Sequence, residues 1–285
     1  MKVSGFTFVR NAVKFDYPVV AAITSVLPLC DEMVVCVGNS DDGTLALIES
    51  ISSDKIKIIH SVWDENLREG GRVLAVETDK AFAAVAADAD WAFYIQADEV
   101  VHEKYLPAIR QAMRQYKADK RVEGLLFKYV HFYGNYHYVG DSREWYRREI
   151  RIVRNHKEIR SYRDAQGFRV NGRKLHVKQV DACIYHYGWV RNPYHMGAKQ
   201  NNFAQLYNAP AVVKAGELYD YSRIKSLKLF DDTHPQVMQE RIAAQDWTFE
   251  FDVRKKRLNA RQRFLFILEK ITGRRWFEYK NYKII

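Results

Sequence analysis

Apolar runs and helical patterns alternate along the first hundred residues of the chain. Strands are predicted where short apolar runs lie, at residues 3–9, 33–37, 56–59 and 91–95. Helices are predicted between them, at residues 18–29, 44–52 and 71–87. The run at 33–37 has no polar position, which is typical of a strand buried on both faces. Strands and helices that alternate in this way predict βαβ units and a parallel sheet.

The pattern changes after residue 101 to longer segments rich in aromatic and β-branched residues. Strands are predicted at residues 124–138, 149–153 and 177–189, and helices at 103–116, 193–207, 235–247 and 258–271. The new strands indicate mixed or antiparallel additions to the sheet. The predicted fold class is therefore α/β, with a mixed sheet flanked by helices and a helical C-terminal appendage. We place one domain at residues 1–215, in two halves (1–101 and 102–215), and the appendage at 216–285.

Composition narrows the class of protein. The chain has 285 residues, of which 47% are hydrophobic and 28% charged, which excludes disorder, collagen and coiled coil. Three cysteines without a C-x-x-C motif argue against a disulfide framework or a structural zinc site, and favour a reducing compartment. No stretch approaches the ~20 apolar residues of a membrane span, and no signal-peptide pattern begins the sequence. We expect a cytoplasmic protein.

The net charge of +10 is unevenly distributed. Residues 1–100 carry a net charge of −8, residues 101–253 carry +9, and residues 254–285 carry +9. The acidic front argues against a nucleic-acid-binding protein, which often has a basic face within its core fold. The tail combines basic residues with an apolar run at 264–271, a composition that suits the surface of an anionic membrane. The alternative is a helix that packs on the core or on a second subunit.

Polar residues follow three of the predicted strands, where ligands of open parallel sheets bind. Arg10 and Asn11 follow the first strand, a turn-rich loop at 38–44 follows the second, and Asp98 with Glu99 follows the fourth. The loop could contact a base or ribose, although Ser40 or Asp41 could equally cap the next helix. The two acids could hold a hard divalent cation, or cap the helix at 103–116.

These segments together resemble family 2 glycosyltransferases with the GT-A fold. The resemblance lies in FVRN at residues 8–11, NSDDGT at 39–44 and DWAFYIQADE at 90–99, and it covers about residues 3–101. The family commonly has Asp where Asn39 stands, and Asp where Gln96 stands at the first position of a D-x-D-like motif. The resemblance thus implies a nucleotide-diphospho-sugar transferase fold whose halves, 1–101 and 102–215, bind nucleotide and acceptor.

The resemblance also implies roles for particular residues. The donor-binding residues would be Arg10, Asn11, Asn39, Asp41, Gln96 and Asp98. Asp98 would bind Mn²⁺ or Mg²⁺ against the diphosphate, and Glu99 would orient the neighbouring loop. His186, at the end of an apolar run and before Gly188, is the best candidate to complete the metal shell, with a hydrogen-bonded core histidine as the alternative. The other histidines, His131 among them, have no comparable sequence setting.

The implied reaction is the inverting transfer of a sugar, expected to come from a UDP-sugar, to a hydroxyl of a glycan or lipid-linked acceptor. Inversion requires one general base. Asp164 is slightly preferred over Glu144 and Asp141, because it lies in a polar loop. The arginines at 147, 148, 151 and 154 form a charged strand face or contact phosphate.

Two other functions compete with this one. A nucleotidyltransferase is disfavoured because no Gly-rich, Lys-bearing loop follows the first strand. A non-catalytic protein with a decayed site would bind a membrane or polyanion through its basic tail. For the enzyme, the expected setting is bacterial cell-envelope polysaccharide biosynthesis in the cytoplasm, where the basic tail would allow a peripheral position at the inner face of the membrane.

Overall fold

The computed structural model describes residues 1–67, 69–214 and 216–285. Its strands are β1 Val3–Val9, β2 Glu32–Gly38, β3 Ile56–Ser61, β4 Trp91–Tyr94, β5 Glu99–Val101, β6 Gly124–Tyr133, β7 Asn135–Gly140, β8 Arg148–Arg154, β9 Ile159–Tyr162, β10 Gly167–Val170, β11 Arg173–Lys174, β12 His176–Trp189, β13 Leu227–Leu229 and β14 Lys283–Ile284. Its α-helices are α1 Val19–Val26, α2 Thr44–Glu49, α3 Arg72–Ala83, α4 Leu106–Tyr116, α5 Pro193–Leu206, α6 Gln239–Ala243 and α7 Ala260–Thr272.

The large sheet has a parallel half and an added half. Strands β3, β2, β1 and β4 lie side by side and parallel, in that order. Strand β8 pairs antiparallel with β4, and β6 pairs antiparallel with β8. Strand β12 then runs parallel to β6 and antiparallel to β5. The predicted fold class, a mixed sheet flanked by helices, is confirmed, and its strand order brings the carboxyl ends of β1 and β4 together.

Strand β2 shows why its sequence has no polar position. Alternate side chains of a strand point to opposite faces of the sheet. Val35 packs with Ile23 of α1 on one face, whereas Cys36 packs with Phe82 of α3 on the other. Both faces are covered by helices, so every side chain between Met33 and Val37 is buried.

Two predicted elements differ from the structure. The strand predicted at 124–138 is divided into β6 and β7 at Gly134, whose φ of 76° is a left-handed conformation that favours glycine. A Cβ there would also lie 2.3 Å from the ring of Phe249. The helix predicted at 235–247 is shorter in the structure, where a 3₁₀ turn at Gln236–Met238 leads into α6 at Gln239–Ala243. The chain after α6 is irregular, and Trp247 there packs against the aromatic core around Phe132 and Tyr136.

Residues 216–285 belong partly to the sheet. Strand β13 pairs with β7 and β14 pairs with β12, while α7 lies outside the sheet. The predicted domain boundary at Ala215 lies outside the described residues and stays a prediction. No described helix has the length and apolarity to cross a membrane.

Candidate active site

A cleft of about 410 Å³ opens at the carboxyl ends of β1 and β4. Strand ends, the β9–β10 turn, β12 and α5 all contribute to its wall. Six of the residues singled out from the sequence line it, namely Arg10, Gln96, Asp98, Glu144, Asp164 and His186. The structure thus brings together side chains that lie up to 176 positions apart in the chain, from Arg10 to His186.

Asp98 is the buried centre of this cleft. Its Oδ2 accepts a hydrogen bond of 2.9 Å from Nζ of Lys199, and its Oδ1 lies 3.7 Å from Nε2 of His186. Burial alone would raise the pKa of Asp98, but Lys199, His186 and Arg191 together hold that pKa well below its ordinary value. Asp98 is therefore ionised near neutral pH.

A chain of hydrogen bonds fixes the orientation of His186. Nε2 of His131 lies 2.8 Å from the carbonyl oxygen of Tyr146, and the Nδ1 atoms of His131 and His186 lie 3.1 Å apart. Burial lowers the pKa of both histidines, and that of His131 lies well below its ordinary value. A carbonyl can only accept, so His131 donates from Nε2 and accepts at Nδ1. His186 must then donate from Nδ1, and its Nε2 faces Asp98.

His131 corrects the sequence interpretation, which gave this residue no special setting. It lies directly opposite His186 in the parallel pairing of β6 and β12, and it is buried. An imidazole nitrogen and a carboxylate that face each other can together bind a cation that lies between them. The histidine pair is thus the kind of outer-shell arrangement that orients a metal-binding imidazole.

The residues present fit a divalent cation that is shared with a ligand. No group of three His, Cys, Asp or Glu that could hold a metal occurs among residues 1–67, 69–214 and 216–285. Asp98 and His186 are the two residues that would hold such a cation, and a bound ligand and water would have to supply its remaining partners. Mg²⁺ is often held in this way, through one or two carboxylates and substrate phosphates.

Gly188 keeps the space beside these two residues open. A Cβ at this position would lie 2.4 Å from Nε2 of His186 and 2.8 Å from Oδ2 of Asp98. Such distances are shorter than real Cβ contacts, so any other residue here would displace one of the two groups.

Glu99 supports the cleft from behind. Its carboxylate accepts two hydrogen bonds, of 2.7 and 2.8 Å, from the guanidinium of Arg151, and one of 2.7 Å from Tyr129. It also accepts a hydrogen bond of 3.1 Å from the backbone N–H of Gln96. This fully buried ion pair holds the 96–98 loop in place.

Trp63 and Phe8 form an aromatic corner of the cleft that sequence reasoning missed. Their ring centroids lie 5.8 Å apart, and the guanidinium of Arg10 lies 5.4 Å from the Trp63 ring centroid. Asn39 fixes this corner, because its Oδ1 accepts from the backbone N–H of Trp63 and its carbonyl accepts from Arg10. Trp63 lies in a loop whose sequence has no helical or strand periodicity. The only feature of the sequence that could have indicated its role is that it is a large aromatic residue.

Three of the predicted donor-binding residues, Asn11, Asn39 and Asp41, do not line the cleft. Oδ1 of Asn11 accepts a hydrogen bond of 3.0 Å from the backbone N–H of Asp41, which joins the loops after β1 and β2. The Asp41 side chain forms an exposed ion pair with Lys14 at 2.8 Å. Neither Ser40 nor Asp41 caps α2, because its N-cap residue is Gly43, and the N–H of Thr44 donates to Oδ1 of Asp42 instead.

The three candidate bases occupy different environments. Asp164 lies in the β9–β10 turn between Arg163 and Ala165, which both have positive φ, and its Oδ2 accepts a hydrogen bond of 2.9 Å from Tyr207. Glu144 also lines the cleft, but it is exposed and paired with Lys225. Asp141 does not line the cleft, because Lys256 and Ser226 bind its carboxylate.

A second cavity of about 560 Å³ adjoins the cleft. The two share five lining residues, Glu144, Trp145, Tyr146, Asp164 and Gln166. The C-terminal segment forms one wall, and Arg147 there pairs with Glu278 at 2.9 Å. Of the four clustered arginines, only Arg147 and Arg148 line this cavity. Arg151 pairs with Glu99, and Arg154 stacks on Trp91 with 4.3 Å to its ring centroid.

Comparison with known proteins gives a distant likeness. No protein-family model and no curated protein matches the sequence. Among similar solved structures, S. aureus TarS has a TM-score of 0.40 and 15% identity, over 72% of this chain and 39% of that chain. TarS 1-349 in complex with UDP has a TM-score of 0.39 and 16% identity, over 73% and 66% of the two chains.

Glucosyl-3-phosphoglycerate synthase from Mycobacterium tuberculosis, in complex with Mn²⁺, UDP and phosphoglyceric acid, has a TM-score of 0.31 and 16% identity. That match covers 46% of this chain and 43% of that chain. The chain thus spans less than half the length of the synthase and of the longer TarS structure. Likenesses at these TM-scores carry no argument about donor, acceptor or metal.

Proposed function

We propose that the chain is an inverting glycosyltransferase that uses a nucleotide-diphosphate sugar, with a UDP-sugar as the expected donor. The observation that carries this proposal is the buried Asp98–His186 pair, in which a carboxylate oxygen and an imidazole nitrogen lie 3.7 Å apart. The pair lies at the strand ends where ligands of parallel sheets bind, and the motifs around it are those that resemble family 2 enzymes. The acceptor is proposed to be a hydroxyl of a glycan or lipid-linked molecule.

Asp98 and His186 would hold the divalent cation, Mn²⁺ or Mg²⁺. When bound, the cation supplies positive charge to the diphosphate leaving group. The aromatic corner of Phe8 and Trp63, with Arg10 beside it, offers a flat apolar surface for the nucleobase. The side-chain amide of Gln96 donates to the carbonyl of Ala165. Gln96 would contact the part of the donor that lies between the nucleobase and the diphosphate.

The transfer step needs a base on the acceptor side. The acceptor hydroxyl oxygen attacks the anomeric carbon, the bond from that carbon to the diphosphate oxygen breaks, and its electron pair stays on the diphosphate. The hydroxyl proton passes to a carboxylate, which we assign to Asp164. Attack from the face opposite the leaving group inverts the anomeric carbon. The second cavity, which shares Asp164 with the cleft, is the proposed acceptor site.

The basic tail is proposed to meet a membrane surface. Phe264, Ile267 and Ile271 share one side of α7 at spacings of three and four residues, and their exposed fractions are 65%, 50% and 78%. Arg261, Arg263, Lys270 and Arg274 lie on or beside the same helix. Basic residues next to exposed apolar ones suit anionic lipid. Loss of sedimentation with anionic vesicles in Ile271→Asp, against an unchanged Val62→Asp control, would support this.

A thermal-shift screen tests the proposed donor site. UDP, GDP, dTDP and CMP are each added with and without Mn²⁺, because a ligand that binds only the folded state raises the melting temperature. We expect one nucleoside diphosphate to give a Mn²⁺-dependent rise that Asp98→Asn and His186→Gln both lack.

The variants are first compared without ligand, so that a folding defect is separated from lost binding. A wild-type chain that responds to no nucleotide would contradict the proposal. It would instead favour the non-catalytic alternative, in which the tail is the working surface.

A further inference from the structure

Lys199 is a buried lysine at the edge of the cleft that the sequence did not single out. It lies on the inner side of α5, three residues after the buried Met196. Its Nζ donates hydrogen bonds of 2.9 Å to Asp98 and 2.8 Å to the carbonyl oxygen of Gly188. A lysine ammonium has three N–H donors, so one donor remains for a group in the cleft.

Arg191 adds a second buried positive charge at the same place. It donates a hydrogen bond of 2.7 Å to the same Gly188 carbonyl, and its Nη2 has no hydrogen-bond partner among the described residues. Both cations lie about 5 Å from the ring centroid of Tyr17, at 4.9 Å for Arg191 and 5.1 Å for Lys199.

The charges of this cluster do not balance within the protein. Asp98 supplies one negative charge against Lys199 and Arg191, and His186 adds no negative charge. The other nearby carboxylates have cations of their own, because Glu99 pairs with Arg151 and Asp16 pairs with Arg241. A buried positive charge without a counter-charge is costly. The cluster therefore lacks one anion, at the point where the cleft reaches Lys199.

We propose that Lys199 is a diphosphate-binding residue that exchanges partners, from Asp98 before the donor binds to the diphosphate afterwards. The inference rests on the proposed function and adds a residue to it. The exchange releases Asp98 to the divalent cation when that cation enters with the donor. Before then, the ammonium on Oδ2 of Asp98 competes with any metal for the carboxylate.

The exchange predicts opposite effects of one substitution on two ligands. Lys199→Met removes the ammonium and keeps much of the side-chain volume. We expect it to weaken binding of the nucleoside diphosphate chosen by the screen about 10- to 100-fold, because charged hydrogen bonds are lost. We expect Mn²⁺ alone to bind about threefold or more tightly, because its competitor is gone. Titration calorimetry measures both, with Lys120→Met, at an exposed lysine, as the control.

Three results would overturn the inference while leaving glycosyl transfer intact. The first is that Lys199→Met and Lys120→Met bind the diphosphate with equal affinity. The second is that Lys199→Met loses as much affinity for the nucleoside as for the diphosphate. The third is that Lys199→Met binds Mn²⁺ alone with the wild-type affinity. A wild-type chain that binds no nucleoside diphosphate would overturn both proposals.

A second measurement covers the case in which Lys199→Met does not fold. Wild-type protein is treated with an amine-acetylating reagent, and modification of Lys199 is measured by mass spectrometry. We expect the diphosphate with Mn²⁺ to protect Lys199 at least about threefold, and the nucleoside not to protect it. Equal modification with and without the diphosphate would overturn the inference.

Discussion

The two sides of the site, named the donor wall and the acceptor wall after their proposed roles, treat their carboxylates differently. On the donor wall, Asp98 and Glu99 are buried and each is bound by a buried cation, Lys199 or Arg151. On the acceptor wall, Asp164 accepts from a tyrosine, and the buried Oε2 of Glu149 has no hydrogen-bond partner. A carboxylate held by a cation is a weak proton acceptor, whereas one without a cation can take a proton. The carboxylates of the donor wall therefore stay ionised, whereas those of the acceptor wall can accept a proton.

The strongest test of this separation is the loss of the base. Asp164→Asn keeps the shape of the side chain but cannot accept the acceptor proton, so we expect kcat to fall about 10²- to 10⁴-fold. Initial rates of sugar transfer at saturating donor measure this. Glu144→Gln should cause a smaller loss, because Glu144 is exposed and paired with Lys225. The reverse ranking of these two variants would assign the base to Glu144.

Substitutions in the donor wall should lower the stability of the fold rather than the rate of proton transfer. Arg151→Met leaves the fully buried Glu99 without its cation, and removing one partner of a buried pair costs about 3–5 kcal/mol. Urea unfolding monitored by circular dichroism measures the loss. Arg121→Met, which breaks the surface pair with Asp119, is the matched control and should unfold at nearly the wild-type midpoint. Equal midpoints for the two variants would show that burial does not distinguish the pairs.

The smallest expected effect is a pH dependence on the acceptor wall. Burial raises the pKa of Glu149 from 4.5 to about 8. The nearby Glu99 also raises this pKa, whereas Arg151 lowers it. The folded chain thus keeps a proton that the unfolded chain releases, so the contribution to stability is present below about pH 4.5 and is lost as pH rises towards 8.

Glu149→Gln should remove this dependence. Between about pH 6 and about pH 7, the free energy of unfolding should fall by about 1.4 kcal/mol more in the wild type than in the variant. Urea unfolding at the two pH values measures the difference. Parallel changes in the two proteins would show that Glu149 is ionised in the folded chain.

The donor wall was largely predictable from the sequence, because its residues follow strands with a clear apolar pattern. Strands β1 to β4 were predicted to within a residue or two of their ends, and parallel strands must bring Arg10 and Asp98 to one edge. His186 could be proposed because it also ends an apolar run.

The contacts that complete the site were not predictable in this way. Lys199 lies 101 positions from Asp98, and His131 meets His186 only because β6 and β12 pair in parallel. The acceptor wall includes the small three-stranded sheet of β9 to β11. These strands are too short to show the alternation of apolar and polar residues that predicts a strand. Such contacts follow from tertiary packing, which local patterns do not encode.

Gly188 is a position at which one small substitution should inactivate the site. Its hydrogen atom occupies the space in which a single methyl group would meet both His186 and Asp98. Alanine at this position would remove no charged or nucleophilic side chain from the chain, but its methyl group would displace His186 or Asp98. It is therefore the substitution of choice for an inactive reference protein in cells, where a loss of charge would also alter the chain's non-specific interactions.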